Sequence, residues 1–408
     1  SVDSAGNETL NPSRVPSISG NGMHVVFESD ANLDLVAGDT NPFSDIFVRD
    51  LLAVTTTLVS VDSTGSQDVG PSFSPSVSSD GRYVAFQSEA DLVLPDNGFI
   101  DIFVHDRDAD GNGTYDDVFP GAISTVRVSV DAAGVQGQGN NHSYFPSISA
   151  DGKYVAFESI ATDLVAGGTN GNVHIFVRDL LAGTTTLVSV SSTDVQVNGD
   201  SSSASISADG RYVAFESLST NLVAGGTNGN VHIFVRDLVA RTTTLVSVDS
   251  NAVQGNDDSS SPSISSDGRY VAFESAASNL VAGDMPLPIG FIDIFVHDRD
   301  FDGDGTYDEP GEVSTTRVSV NLDDVEGNGD SKNPSISADG SSVAFQSIAD
   351  NLVAGDANTA LDIFVDDLQA GTGEDEGDGD GNSSGGCFIA TAADGRQARG
   401  RGETARRR

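Results

Sequence analysis

The sequence predicts an all-β fold, a six-bladed β-propeller of four-stranded antiparallel blades with its ring closed by the N-terminal strand. Three observations predict it. A segment close to SPSISSDGRYVAFES (residues 261–275) recurs six times, with its turn glycine at Gly22, Gly81, Gly152, Gly210, Gly268 and Gly340. No stretch carries the 3.6-residue periodicity of an amphipathic helix; short apolar runs alternate instead with Gly- and Asn-rich turns. Units of this length cannot bury an apolar face alone and stack into solenoids, propellers or arrays.

The fourth copy shows the elements in order. Ala204–Ser207 reads as a first strand of small residues, followed by an Asp209-Gly210 turn in which both residues tolerate positive φ. Arg211–Phe215 is apolar on both faces, as a strand between two neighbouring sheets must be. A Gly- and Asn-rich loop over 221–230 leads to a third strand, His232–Asp237, and then to a β-branched fourth strand, Thr242–Val248. Four short antiparallel strands make one propeller blade. The chain opens with Ser1-Val2-Asp3-Ser4, matching fourth-strand ends such as Ser247-Val248-Asp249-Ser250, while the last copy ends at Asp362–Leu368 without a TTTLVSV run. Val2 is therefore expected beside Asp362–Leu368, clasping the ring. A longer period is visible too. Gly22 to Gly210 and Gly152 to Gly340 are each 188 residues apart, and the second and fifth copies share GFIDIFVHDRD. Duplication of a three-blade unit would place those two blades on opposite sides.

The runs PSISxDGRYVAFES, DIFVRDL and TTTLVSV resemble the TolB-type, WD-like propeller repeat of bacterial envelope and secreted proteins, over residues 1–369. The resemblance implies an extracellular, periplasmic or cell-surface protein. Residues 370–386 read as an acidic, Gly-rich linker without the means to bury a core. In the Arg-rich tail, 387–408, the run from Gly385 to Ala393 resembles the start of a CFIATAAYGS motif found at the C termini of many secreted bacterial proteins. Asp394-Gly395-Arg396 replaces that motif's continuation here.

Sixty-one acidic against twenty basic residues give a net charge of −41, which argues against nucleic acid or an anionic membrane surface as partner. No apolar run approaches the ~20 residues of a membrane helix, so no membrane insertion is expected. Cys387 is the only cysteine, and the start at Ser1 rather than Met leads us to expect a preceding segment.

The strongest chemical signal is an insert between the third and fourth strands of blade five. Asp298, Asp300, Asp302, Gly303 and Glu309 fit D-x-D-x-D-G-x5-E, the spacing of an EF-hand calcium loop. Ca²⁺ needs six to eight hard oxygens, and alternate carboxylates in a tight loop can converge on one point. On this reading Asp304 gives its carbonyl and Glu309 binds bidentately. Blade two repeats the pattern with Asp106, Asp108, Asp110, the carbonyl of Asn112 and Asp117; the shorter Asp117 predicts a weaker site. Neither insert has flanking helices, so a helix-opening sensor is not implied. Asp39-x-Asn41-x3-Asp45 and Asp356-x-Asn358-x3-Asp362 are expected to cap turns, with cation binding the lesser alternative.

His174 and His232, like His105 and His297, fall at repeat positions held elsewhere by Asp or Arg; only His24 and His142 stand outside the pattern. No GxSxG elbow is present. The recurring Glu28, Glu158, Glu216 and Glu274, alternating with Gln87 and Gln346, are expected to serve a repeat-wide structural role. The resulting expectation is a monomeric, non-catalytic, calcium-stabilised binding or scaffold module, with a protein or glycan ligand on a loop face. The alternative is a hydrolase or lyase acting on a glycan or peptide at the central channel, marked by His142, Tyr144 and acidic residues gathered there.

Overall fold

In each of the six repeats the second and third strands pair residue for residue. In blade four Tyr212–Ser217 lies against His232–Asp237, with Phe215 directly opposite Phe234. The first strand (Ser201–Ile206) and the fourth (Thr242–Leu245) complete the antiparallel sheet. Six such sheets follow one another along the chain. The structure is a computed structural model describing residues 2–8, 11–30, 35–36, 38–96, 98–117, 119–130, 141–284, 290–356 and 360–368, and the backbone of Phe388–Ile389. The linker and almost all of the tail therefore lie outside the described residues, as do residues 131–140 and Asn358.

The core forms between blades. Ala156, Ile175 and Val177 of blade three pack with Val213, Phe215 and Phe234 of blade four, and equivalent clusters recur around the molecule. Each blade stacks its two central phenylalanines, as Phe215 and Phe234 do at 5.8 Å between ring centroids.

The hairpin turn differs from the expected geometry. Gly210 takes the left-handed region (φ 75°), but Asp209 does not. The Asp209 carboxylate instead accepts bonds from Ser207 Oγ and the Arg211 amide, so the turn needs one left-handed residue rather than two. Glycine is required for a second reason. A Cβ on Gly210 would lie 2.2 Å from the ring of Tyr154 in the preceding blade.

Every first strand carries a bulge at a residue with positive φ: Val15, Ser74, Phe145, Ser203, Ser261 and Asn333. The freed amide finds the recurring Glu or Gln of the blade before it. Ser74 N donates to Glu28 (3.1 Å), Phe145 N to Gln87 (2.8 Å), Ser203 N to Glu158 (3.1 Å), Ser261 N to Glu216 (2.9 Å) and Asn333 N to Glu274 (2.8 Å). This is the repeat-wide structural role expected of those residues. Near the channel a second series joins the blades: Ser79 N to Ala150 O, Ala150 N to Ala208 O, Ala208 N to Ser266 O and Ser266 N to Ala338 O.

The clasp does not form as expected. Val2 and Ser4 bond to Thr56 in the fourth strand of blade one: Thr56 Oγ1 donates to Val2 O (2.7 Å), and Thr56 N to Ser4 Oγ (2.9 Å). Thr125, Thr185, Thr243 and Thr315 make the same bond to Val61, Val130, Val190 and Val248. The Ser-Val-Asp-Ser stretch is thus the part of a repeat that docks on the next blade, beyond the ladder formed by TTTL. Among the described residues the last blade has three full strands, with Phe388–Ile389 along the outer edge of Asp362–Asp367. Its meeting with blade one is uncovered. Ile18 is 61% exposed, whereas Ile148, Ile206 and Ile264 are 8% exposed; Ile363 is 44% exposed, whereas Ile175, Ile233 and Ile294 are fully buried.

Candidate metal centres

Third-strand ends and fourth-strand starts share one face of the propeller with the hairpin turns, so both inserts emerge there. The loops between second and third strands, bonded to the links between blades as Asn228 Nδ2 is to Gly255 O, occupy the other face.

In blade five the insert runs from Asp298, at the end of the third strand, to Ser314, at the start of the fourth. The carboxylates of Asp300, Asp302 and Asp304 converge, with one oxygen from each lying within 4.8 Å of the others. Asp300 is buried; Asp302 and Asp304 are exposed. Gly305, at φ 89°, turns the chain so that its amide donates to both oxygens of Asp300 (3.2 Å). The Thr306 amide donates to Asp304 (2.8 Å). Blade two repeats the two amide bonds and adds two from the Asn112 side chain. Gly113 N donates to Asp108 (3.2 Å), Thr114 N to Asn112 Oδ1 (2.7 Å), and Asn112 Nδ2 to Asp110 (2.9 Å) and Asp117 (3.0 Å).

The three converging carboxylates thus begin at Asp300, two residues after the first Asp of the expected spacing. Asp298 and Asp106 serve another purpose: Arg269 grips Asp298 through two bonds (2.7 and 2.8 Å), and Arg82 grips Asp106 likewise. Glu309 is not among the converging carboxylates. The side chain of Asp304 takes part, where only its carbonyl was expected. One sequence signal could have separated the two frames. Asp50, Asp179 and Asp237 end the third strand in blades that have no insert, so the first Asp of the pattern belongs to the repeat and not to the loop.

The base of each insert is pinned by an arginine that the sequence reading did not single out. Arg299, 2% exposed, donates to Asp308 (2.9 and 2.6 Å) and to Gly268 O (2.7 Å). Its guanidinium lies 5.0 Å from the ring centroids of both Tyr307 and Tyr212, the latter from blade four. Arg107 repeats the arrangement with Asp116, Gly81 O and Tyr115. Each insert therefore reaches back onto the preceding blade.

The channel offers a contrast. A cavity of about 510 Å³ touches all six blades and is ringed by Ile18, Val77, Ile148, Ile206, Ile264 and Ile336, with Ser and Ala between them. His142 and Tyr144 are not part of this ring. His142 Nδ1 accepts from Ile100 N (2.9 Å), and its ring lies between Phe99 and Tyr144. His105 and His297 are buried against Thr125 and Thr315, and burial lowers both to about 4.

No protein-family model and no curated protein sequence matches this chain. Solved structures do. The chain is similar to TolB from Acinetobacter baumannii at 15% identity, covering 80% of this chain and 57% of that one with a TM-score of 0.40. An oligogalacturonate lyase in complex with manganese matches at 11% identity, covering 88% and 78% with a TM-score of 0.48. Prolyl oligopeptidase B from Galerina marginata matches at 12% identity, covering 88% and 43%, TM-score 0.46. The chain thus spans little more than half the length of the TolB it matches.

Proposed function

We propose that the chain is a secreted or envelope-associated binding or scaffold module, a propeller stabilised by calcium in two loops and without catalytic activity. The observation that supports it best is the convergence of Asp300, Asp302 and Asp304 under the Gly305 amide; blade two repeats the glycine-amide bond, from Gly113 to Asp108. Hard oxygens alone suit calcium, and loops of this kind in extracellular modules bind at about 10⁻⁴–10⁻³ M, a range met outside cells. Blade five carries three carboxylates and is the tighter site; blade two has Asn112 in place of the third and is the weaker. Recognition falls to the loop face opposite the inserts, where a protein or glycan is the expected partner.

The test is calcium titration of the whole chain by calorimetry, with thermal unfolding followed in parallel. Binding to the folded state alone stabilises it by RT ln(1 + [L]/Kd), about 2.7 kcal/mol at a hundredfold excess. Asp300→Ala with Asp302→Ala should abolish the tighter site, whereas Asp298→Ala should destabilise the fold without removing calcium binding. No heat at millimolar calcium would leave both inserts as acidic loops.

A further inference from the structure

A second kind of acidic site lies at the start of the third strand, on the opposite face. In blade five Asp293, fully buried, receives Ser319 Oγ. Arg317 Nη1 lies 3.2 Å from Asp293, 3.2 Å from Asp284 and 2.9 Å from Glu326, so one guanidinium nitrogen sits among three carboxylates. Blade two has the same device, with Arg127 3.0 Å from Asp96 and 3.1 Å from Asp101. Blades three and four have no carboxylate there. His174 and His232 take the place of Asp293, bonded to Asn170 and Asn228, and a glycine, Gly168 or Gly226, stands where Asp39 stands in blade one. Each of these blades balances its own charge: acids face an arginine, and histidines face amides.

Blade one does not. It keeps two acids, Asp39 (0% exposed) and Asp45 (1% exposed). The residue opposite Phe47 is Leu58, where Arg127 and Arg317 stand opposite Phe103 and Phe295. Gln67 Nε2 donates to Asp39 Oδ1 (3.0 Å) and Asp45 Oδ2 (2.7 Å), and Ser60 Oγ to Asp45 Oδ1 (2.7 Å). The Gln67 carbonyl is already used by Thr40. Asp39 Oδ2 is buried and has no hydrogen-bond partner, and the same holds for the hydroxyl of Ser44, the residue before Asp45. A buried carboxylate oxygen without a donor carries a desolvation cost that a cation would remove.

We propose that Asp39 and Asp45 hold a hard divalent cation, calcium or magnesium, where blades two and five carry an arginine side chain. The donors are all oxygen, which favours these ions over zinc or copper. Two carboxylates match the charge of one such ion.

The test uses the full chain with both inserts silenced by Asp300→Asn, Asp302→Asn, Asp108→Asn and Asp110→Asn, so that its outcome is independent of the calcium loops. Calorimetric titration with calcium alone, and separately with magnesium alone, should find one remaining site; the ion that binds identifies the occupant. Asp39→Asn should weaken it at least tenfold. Leu58→Arg, which supplies the arginine of blade five, should abolish binding and raise the melting temperature measured in chelator. Should that variant not fold, Asp39→Asn still decides. The proposal is overturned if neither ion binds at millimolar concentration, or if residual binding is unchanged by Asp39→Asn. It is equally overturned if a protonated-carboxyl infrared band persists at neutral pH with either ion present and disappears in Asp45→Asn, because the pair then shares a proton.

Discussion

Glycine at the hairpin turn answers two demands that can be separated within one molecule. Gly22 and Gly210 are both left-handed, but a Cβ on Gly22 meets nothing within 4 Å, while one on Gly210 meets the Tyr154 ring. Gly22→Ala should therefore cost only the backbone penalty, about 1–2 kcal/mol, and Gly210→Ala should cost an overpacking term of roughly 1–3 kcal/mol more. Equal losses in denaturant unfolding would show that the blade contact is slack. Glu158 gives a second single-residue expectation. Burial, with a contribution from the charge of Glu216, raises it to about 7, against the opposing amide of Ser203. The folded state thus holds this proton more tightly than the unfolded chain does. Its contribution is complete below about 4.5 and is lost as pH rises through about 7. Glu158→Gln, which copies the natural Gln87, should flatten the fall in melting temperature between pH 5 and pH 8; parallel curves for variant and parent would refute the assignment.

The inserts are held as units. Arg299 is enclosed by Asp308, Gly268 O and two tyrosines, so Arg299→Ala would leave Asp308 without its partner and the Tyr212 ring without its cover. A loss of about 3–5 kcal/mol is expected, together with weaker calcium binding, because Asp308 and Asp300 belong to one short loop. Calorimetry on Arg299→Ala checks both, and unchanged affinity would mean that the loop keeps its shape without the arginine. Much of the fold was legible because each element is written six times: the strands, the Phe pairs and the recurring Glu could be checked copy against copy. The ligand frame was less legible, since Asp298-x-Asp300-x-Asp302 and Asp300-x-Asp302-x-Asp304 fit the same pattern. The strand-ending Asp of the blades without an insert hints at the difference, and the pairing of Asp298 with Arg269 makes it visible. Likewise Ser1–Ser4 was recognisable as the end of a repeat, but whether such an end pairs within its own blade or docks on the next depends on Thr56 and its counterparts, contacts that span 50 residues or more.

Along the whole molecule each blade leans on its neighbours through the same bonds, so stability should behave as a sum of blade and interface terms. Blades two to five have a partner on both sides. Blade one lacks the cover that would bury Ile18, and blade six leaves Leu361 and Ile363 exposed. Amide hydrogen exchange should therefore be slowest in the strands of blades two to five and fastest in blades one and six. Uniform protection across all six would instead point to a sealed ring in solution.

The amide series from Ser79 through Ala150, Ala208 and Ser266 to Ala338 also bears on how the molecule would answer a mechanical load. Each bond in it joins one blade to the next, so tension applied through the two ends would break these links one at a time instead of shearing them together. Successive turn glycines Gly152, Gly210 and Gly268 are 58 residues apart. Ruptures over these 58-residue intervals would release roughly 200 Å of chain, and those over Gly81 to Gly152 (71 residues) and Gly268 to Gly340 (72 residues) roughly 240 Å, at about 3.4 Å per residue, so a force–extension trace would read out the blades as steps of two sizes.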